Sequence, residues 1–177
     1  MPGHQIKLLD DEENEVPIET PGNLWVRGPA AATGYWCRTD ATRRTFVGEW
    51  VRTGDVYQRS EGDRYAYLGR TDELFKVAGE WVSPFEVESA LAGLAGVLEA
   101  AVVPGMFDGL LRPVAFVVLA PGSSDDEESL QAQCKPLLAG FKRPRRIRVV
   151  DALPKTAVGK IQRVMLRDQL REEMTGA

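Results

Sequence analysis

Lys160 follows Gly159 at the end of the run Pro154-Lys155-Thr156-Ala157-Val158-Gly159-Lys160. A lysine beside a glycine can extend its ammonium from a pliable backbone into a neighbouring site. A cation delivered that way stabilises negative charge developing in a transition state. The run is not a Walker phosphate loop, because Gly-x-x-x-x-Gly-Lys-Ser/Thr is absent. Asp55 closes Thr53-Gly54-Asp55, and a carboxylate presented past a glycine can accept from both hydroxyls of a ribose. Plainer readings stand beside both: an exposed lysine ahead of a helix, and an aspartate in a Gly-Asp turn. Arg70 offers a permanent charge and a fork of donors, or is a surface arginine paired with Asp72 or Glu73. Asp72 tolerates unusual backbone regions better than bulky residues do, or simply bonds its own loop. Gly79 lets a ligand chain approach the backbone closely, or only makes a turn. Lys142, Arg143, Arg145, Arg146 and Arg148 form a basic run that could seat phosphates, touch nucleic acid or solvate an outward strand face. One histidine, His4, and two isolated cysteines, Cys37 and Cys134, exclude a His/Cys metal cluster, so no metal ligands are assigned.

These residues need a scaffold, and the chain divides into two textures. Residues 1–70 read as β-rich. Gln5-Ile6-Lys7-Leu8 alternates and is followed by the acidic turn Asp10–Glu15, and Leu24–Arg27 is a short strand between Gly22 and Gly28. Val56–Arg59 and Arg64–Leu68 flank Glu61-Gly62-Asp63 as a hairpin. Most of the aromatics here (Trp25, Tyr35, Trp36, Trp50, Tyr57, Tyr65, Tyr67) are expected to form or cover the core of a small antiparallel sheet. The second half alternates helix and strand. Ser83-Pro84-Phe85-Glu86 is a helix start with a capping serine, a proline at the first turn and a glutamate three residues after the cap. Val87, Leu91 and Leu94 then share one face. Glu99–Val103 and Pro113–Leu119 read as buried strands. Ser123–Glu128 leads into a helix through Leu130, Cys134, Leu137 and Leu138, which Pro136 should shorten or kink. Arg146–Val150 reads as a strand with Ile147 and Val149 inward and Arg146 and Arg148 outward, and Ile161–Glu173 as a terminal helix. The boundary between the halves falls near Gly69–Asp72.

Four stretches, in this order and at these separations, resemble the C-terminal portion of the adenylate-forming enzymes. They are Gly22–Gly28 with Gly34-Tyr35-Trp36, Trp50–Asp55, Gly69–Glu88 and Pro154–Arg163. That superfamily comprises acyl- and aryl-CoA synthetases, adenylation domains of peptide synthetases, and beetle luciferase. The Val82–Glu88 stretch looks most like the benzoate-CoA ligase branch. The resemblance implies an α+β fold. Residues 1–71 would be a β-rich, distorted-barrel subdomain closing a large AMP-binding domain. Residues 72–177 would be a small mobile domain of mixed sheet and packed helices. It further implies that Asp55 takes the ribose of ATP, that Arg70 makes a second ribose or phosphate contact, and that Asp72 is the hinge. The Gly79 loop would line the path of the pantetheine arm, and Lys160 would be catalytic in adenylation. Many synthetases place a basic residue two positions after that glycine, where this chain has Trp81. The basic run would meet the nucleotide phosphates of coenzyme A.

The expected activity is that of an ATP-dependent carboxylate–CoA ligase. ATP, Mg²⁺ and coenzyme A serve the reaction, and a small carboxylic acid is the substrate. A phosphopantetheinyl carrier protein is the alternative acceptor, and a non-catalytic binding or regulatory module the alternative of another class. The family's phosphate-binding loop, adenine segment and acid pocket are absent, and Met1-Pro2-Gly3 already resembles an internal segment. The chain is therefore expected to be a fragment that is inactive without the missing N-terminal domain. Lys160 is also an expected target of a lysine acetyltransferase and deacetylase, since acetylation removes its charge. A length of 177 residues, 44% hydrophobic and 27% charged, fits a globular chain of one or two small domains. The net charge of −4 argues against nucleic-acid binding. No apolar run reaches the ~18–20 residues of a membrane helix, and residues 1–9 show no signal-peptide pattern. Two cysteines do not make a disulfide framework, so both are expected to be packing thiols in the cytoplasm.

Overall fold

A computed structural model describes residues 3–175, so Met1 and Pro2 of the opening segment lie outside the described residues. The chain forms two compact units that meet in sequence between Asp72 and Glu73.

The first unit is a curled antiparallel sheet of five strands: β1 (Gln5–Leu9), β2 (Pro21–Arg27), β3 (Phe46–Val47), β4 (Trp50–Ser60) and β5 (Arg64–Arg70). The 11-residue β4 is its spine. β2 pairs along one edge, while β3 and β5 share the other. The Glu61-Gly62-Asp63 turn closes the β4–β5 hairpin as its residue types predict, with Gly62 and Asp63 both at positive φ. Leu8, Leu9, Trp25 and Val56 are buried. Trp25 is further stacked between the Lys7 ammonium at 4.8 Å and the Arg52 guanidinium at 4.5 Å. Among the aromatics Trp36 is 93% exposed and Tyr35 52%, both in the loop before the short helix α1 (Thr39–Thr45), with Tyr35 meeting Phe46 of β3 edge-on at 5.5 Å between ring centroids. One expectation is corrected here. Cys37, in the same loop at φ 53°, is exposed and does not pack. α1 itself buries no residue, so no apolar stripe announced it.

The second unit opens with a hairpin of β6 (Phe75–Val77) and β7 (Glu80–Val82), followed by α2 (Pro84–Ala92). The capping reading holds: Ser83 Oγ accepts the Glu86 N–H at 3.1 Å and Pro84 sits at the first helical position. Val87 and Leu91 are fully buried, and Leu94 packs just beyond the helix end. The central sheet is β10 (Arg146–Val149), β9 (Leu110–Leu119) and β8 (Val97–Phe107), with β10 parallel to β9 and β8 antiparallel. One face (Val102, Ala115, Val117, Ile147) is covered by α2, by α3 (Glu127–Cys134) and by the β6–β7 hairpin. The other (Ala101, Val103, Val114, Phe116) is covered by Leu153 and by Leu166 and Leu170 of α4 (Arg163–Thr175). Each buried Val, Leu or Phe contributes about 1.5–3 kcal/mol against the conformational entropy of ordering the unit. α3 stops before Pro136, as the missing N–H requires. Leu137 is 54% exposed rather than part of the helix face.

β10 departs from its expected pattern. Ile147 is buried, but Val149 is 46% exposed at the end of an edge strand. Arg148 is not turned to water, because its face of the sheet is the one α4 covers, and it pairs there with Glu173. The terminal helix starts at Arg163 rather than Ile161. Ile161 forms a β-bridge with Lys155, and the Gln162 N–H goes to Pro154 O at 2.8 Å, so neither enters the helix. Cys134 is a core thiol whose pKa burial pushes up. Among the described residues no helix is long and apolar enough to cross a membrane.

Candidate functional site

A bulge in β4 sets the place of Asp55. On β2 the register passes from Asn23 to Trp25, while on β4 it passes from Val56 to Arg52, so Thr53, Gly54 and Asp55 oppose Leu24 alone. Bulges of this kind re-aim a side chain out of the regular ladder. Thr53 holds the distortion: its hydroxyl donates to Leu24 O at 2.9 Å and accepts the Asp55 N–H at 3.0 Å. Gly54 takes φ +75°, and a Cβ there would lie 2.7 Å from the Arg70 Nη2. Arg70 is opposite Asp55 in the β4–β5 register. Its Nη1 donates to Asp55 Oδ1 at 3.0 Å and to Thr53 O at 2.9 Å. Burial alone would lower the Arg70 pKa. The Asp55 hydrogen bond and charge, with Asp72 and Tyr67 behind them, outweigh it and raise the pKa, so the guanidinium stays charged. Asp55 Oδ2 has no partner among the described residues and is left as an acceptor.

Asp72 follows this cluster. Its carboxylate is 80% exposed and 3.7 Å from Arg70 Nε. Of the two partners the plainer reading gave Arg70, Asp72 is thus present as a distant one, whereas Glu73 is engaged by Arg163. Gly79 sits at the tip of the β6–β7 hairpin, where Ala78 and Gly79 both adopt positive φ. A two-residue turn of that kind demands glycine for backbone reasons alone. Among the described residues nothing lies within 4 Å of a Cβ built on Gly79, so the tip is also open to an approaching chain. Below the tip, the Lys76 ammonium lies 4.5 Å from the ring centroid of its cross-strand neighbour Trp81.

The Lys160 loop is a short pinched turn. Lys155 and Ile161 bridge its base, the Thr156 N–H donates to Lys160 O at 2.8 Å, and the Lys160 N–H donates to Thr156 Oγ1 at 3.1 Å. Gly159 turns the tip at φ +82°. Only the backbone of Lys160 is tied, and its ammonium is exposed with no partner among the described residues. Two other lysines of this unit differ, since Lys155 pairs with Glu99 and Lys142 with Glu86, both at 2.7 Å.

The basic run disperses in the fold. Lys142 pairs with Glu86, Arg146 with Glu127 and Arg148 with Glu173, while Arg143 donates to the carbonyls of Leu138 and Lys135. A run so committed internally is not a continuous polyanion surface. Arg145 instead joins Lys135, Arg143 and Arg112 around a cavity of about 440 Å³, floored by Phe107 and Phe141 and carrying one acid, Asp108. Sequence reading did not single out Arg112 or Lys135. The β8–β9 hairpin delivers Arg112, and its Asp108-Gly109 turn, with both residues at positive φ, was a readable signal. Thr53 and the carboxylates Glu73 and Glu88 were also missed as partners, because their roles depend on contacts across 17 to 90 residues. Among the described residues no three His, Cys, Asp or Glu side chains gather where they could hold a metal ion.

Comparison with known proteins gives a consistent result. A family profile described as the AMP-binding enzyme C-terminal domain matches residues 86–160. The 4-hydroxybenzoate–CoA/benzoate–CoA ligase of Rhodopseudomonas palustris is 49% identical over 173 residues, covering 94% of this chain and 32% of that enzyme. The benzoate–CoA ligase of Thauera aromatica is 46% identical over 172 residues, covering 94% of this chain and 33% of the relative. The crystal structure of the anthranilate CoA ligase AuaEII in complex with anthranoyl-AMP superposes with a TM-score of 0.89 at 42% identity, covering 96% of this chain and 34% of that one. The chain therefore spans about a third of the length of the relatives it matches.

Proposed function

The chain belongs to the AMP-binding, adenylate-forming enzyme family, and on that premise we propose that it forms the C-terminal part of an ATP-dependent aryl-carboxylate–CoA ligase of the benzoate type. Residues 1–71 close the large AMP-binding domain, and residues 72–177 are the small domain that turns about Asp72. The observation that carries the reading is the Lys160 ammonium, exposed and without a partner among the described residues, on a loop that ties Lys160 only through its backbone.

The reaction runs in two steps. In the first, a carboxylate oxygen of the acid attacks the α-phosphorus of ATP and the bond to pyrophosphate breaks. Two anions meet there, and Lys160 stabilises the charge that accumulates between them. Asp55 accepts from the ribose hydroxyls through the oxygen Arg70 leaves open, and Arg70 lies alongside for ribose or phosphate. Mg²⁺ arrives with the phosphates of ATP as part of the substrate. In the second step the sulfur of coenzyme A attacks the acyl carbon and AMP leaves. Lys160 must then withdraw, and the Gly79 tip is presented to the pantetheine arm. One mobile unit serves both steps because they need different groups at one carbon.

The cation-lined cavity of about 440 Å³ around Arg112, Lys135, Arg143 and Arg145 is where we place the nucleotide phosphates of coenzyme A. The proposed location is the cytoplasm, which supplies both ATP and coenzyme A. Acetylation of Lys160 would abolish its charge and with it the first step, which mass spectrometry paired with deacetylase treatment would detect. The test of the function is pyrophosphate release by the complete polypeptide with ATP and benzoate, followed by coenzyme A consumption. Benzoate-dependent release with free coenzyme A consumed supports the reading. Release without coenzyme A consumption, but with loading of a phosphopantetheinyl carrier, moves the acceptor. No aryl-acid-dependent release refutes it.

A further inference from the structure

Arg163 opens α4 three residues after Lys160 and is largely buried, its side chain 23% exposed. Its guanidinium bridges two segments. Nη2 donates to both carboxylate oxygens of Glu88 on α2, at 2.9 and 2.8 Å, and Nη1 donates to Glu73 Oε1 at 3.3 Å. Glu88 is held in turn, with Oε1 accepting the Val102 N–H of β8 at 2.8 Å. Burial pushes the Glu88 carboxyl above its ordinary value, and Arg163 and the Val102 N–H pull against that shift. The cluster thus sets one cation between two carboxylates, and Arg163 Nε is buried with no hydrogen-bond partner among the described residues. Such a site is a costly way to start a helix, since apolar residues of similar volume would pack as well or better.

What the cluster accomplishes is mechanical. The other end of the loop is pinned by Lys155 to Glu99, and Gln162 ties back to the carbonyls of Pro154 and Lys155, each at 2.8 Å. Among the described residues the Lys160 side chain has no tether of its own, so the ends of its loop set where the ammonium points. Glu73 is the residue immediately after Asp72, and Arg163 fastens it to the same body as the loop.

We propose that Arg163 is a positioning residue for the Lys160-dependent step, locking the Lys160 loop and residue 73 onto α2 so that a turn at residue 72 carries the ammonium as one rigid lever. This rests on the role given to Lys160 above. The test is a double-mutant cycle in the complete polypeptide, with single-turnover adenylation and thioester formation from supplied benzoyl-adenylate measured separately. Misplacing a catalytic group by ~1 Å costs on the order of 10²-fold, so Arg163→Gln should slow adenylation ~10–100-fold, with the KM for ATP and the thioester step nearly unchanged and partial rescue by Arg163→Lys. In the Lys160→Ala background the same change should add less than about twofold, the margin within which independent sites are told from coupled ones. Should Arg163→Gln fail to fold, Glu73→Gln, which removes only the 3.3 Å contact, decides the matter: it should slow adenylation and spare the thioester step. Equal loss in both half-reactions, an undiminished effect of Arg163→Gln without Lys160, or an unaffected Glu73→Gln enzyme overturns the proposal. If Lys160→Ala alone leaves adenylation at the wild-type rate, the role of Lys160 itself has failed, and the lever with it.

Discussion

Replacing Gly54 with alanine probes how Asp55 and Arg70 are held together. Two effects act at that position. The backbone sits at φ +75°, where an L-residue with a Cβ costs about 1–2 kcal/mol. The new Cβ would also lie 2.7 Å from Arg70 Nη2 and 3.1 Å from Cζ, so the guanidinium must leave. It would then lose its bonds to Thr53 O and Asp55. Arg70 is 46% exposed, so the ion pair contributes only about 0–1 kcal/mol, with the carbonyl bond adding about 1 kcal/mol. Gly62 supplies the control. It lies in the same unit at φ +79°, with nothing among the described residues within 4 Å of a Cβ, so Gly62→Ala reports the backbone cost alone. For a unit of this size each kcal/mol is worth about 4–8 °C, so Gly54→Ala should melt at least about 4 °C below Gly62→Ala. The assay is thermal unfolding of both variants by tryptophan fluorescence, alongside the Gly54→Ala/Arg70→Ala double variant. Removing Arg70 removes the collision, so the double variant should cost less than the sum of its singles. In the complete enzyme Gly54→Ala should raise the KM for ATP and Gly62→Ala should not. Equal melting of the two glycine variants, or strict additivity with Arg70→Ala, would refute the steric argument.

Two further outcomes follow from local geometry. Asp72→Pro fixes φ near −65° and restricts Thr71, whose N–H already bonds Gly54 O at 2.9 Å. It should preserve adenylation and slow thioester formation from supplied acyl-adenylate by ~10²-fold or more, measured by quenched flow. Asp125 accepts from Ser129 Oγ, and then from Ser123 and Gln133, which hold its carboxyl below the ordinary aspartate value of 3.8. Because the folded pKa is depressed, the stabilisation from Asp125 is present above its unfolded pKa and is lost as pH falls through the folded one. Ser129→Ala should move the Asp125 titration back toward 3.8 in a carboxyl-detected NMR experiment and reduce that acid-limb stability.

The features legible in the sequence were those set by local backbone chemistry. Ser83-Pro84-x-Glu86 specified a helix start to the residue, and Pro136 ended α3 because any chain meets the same missing N–H. The Glu61-Gly62-Asp63 hairpin was read from turn types alone. Illegible features were those decided by what packs opposite. Arg148 did not stay outward because α4, distant in sequence, covers its face of the edge strand β10, while Val149, on the opposite face at the strand's end, is left exposed. The basic run looked like a surface until the fold supplied Glu86, Glu127 and Glu173. Ile161 carries helix-compatible character, yet a bridge to Lys155 holds it in the loop. For the candidate site, residue types left plainer readings open for Asp55, Arg70 and Lys160, and it was the resemblance to the adenylate-forming enzymes that singled them out. The bulge that aims Asp55, and the guanidinium packed against Gly54, could be seen only in three dimensions.

The account turns on one ammonium, and the most direct measurement takes the complete enzyme with Lys160→Ala through the two half-reactions separately. Removing a group that stabilises transition-state charge should lower the single-turnover rate of benzoyl-adenylate formation by at least ~10²-fold, while coenzyme A still converts supplied benzoyl-adenylate to the thioester at close to the wild-type rate. Equal loss of both half-reactions, or adenylation at the wild-type rate, would contradict it.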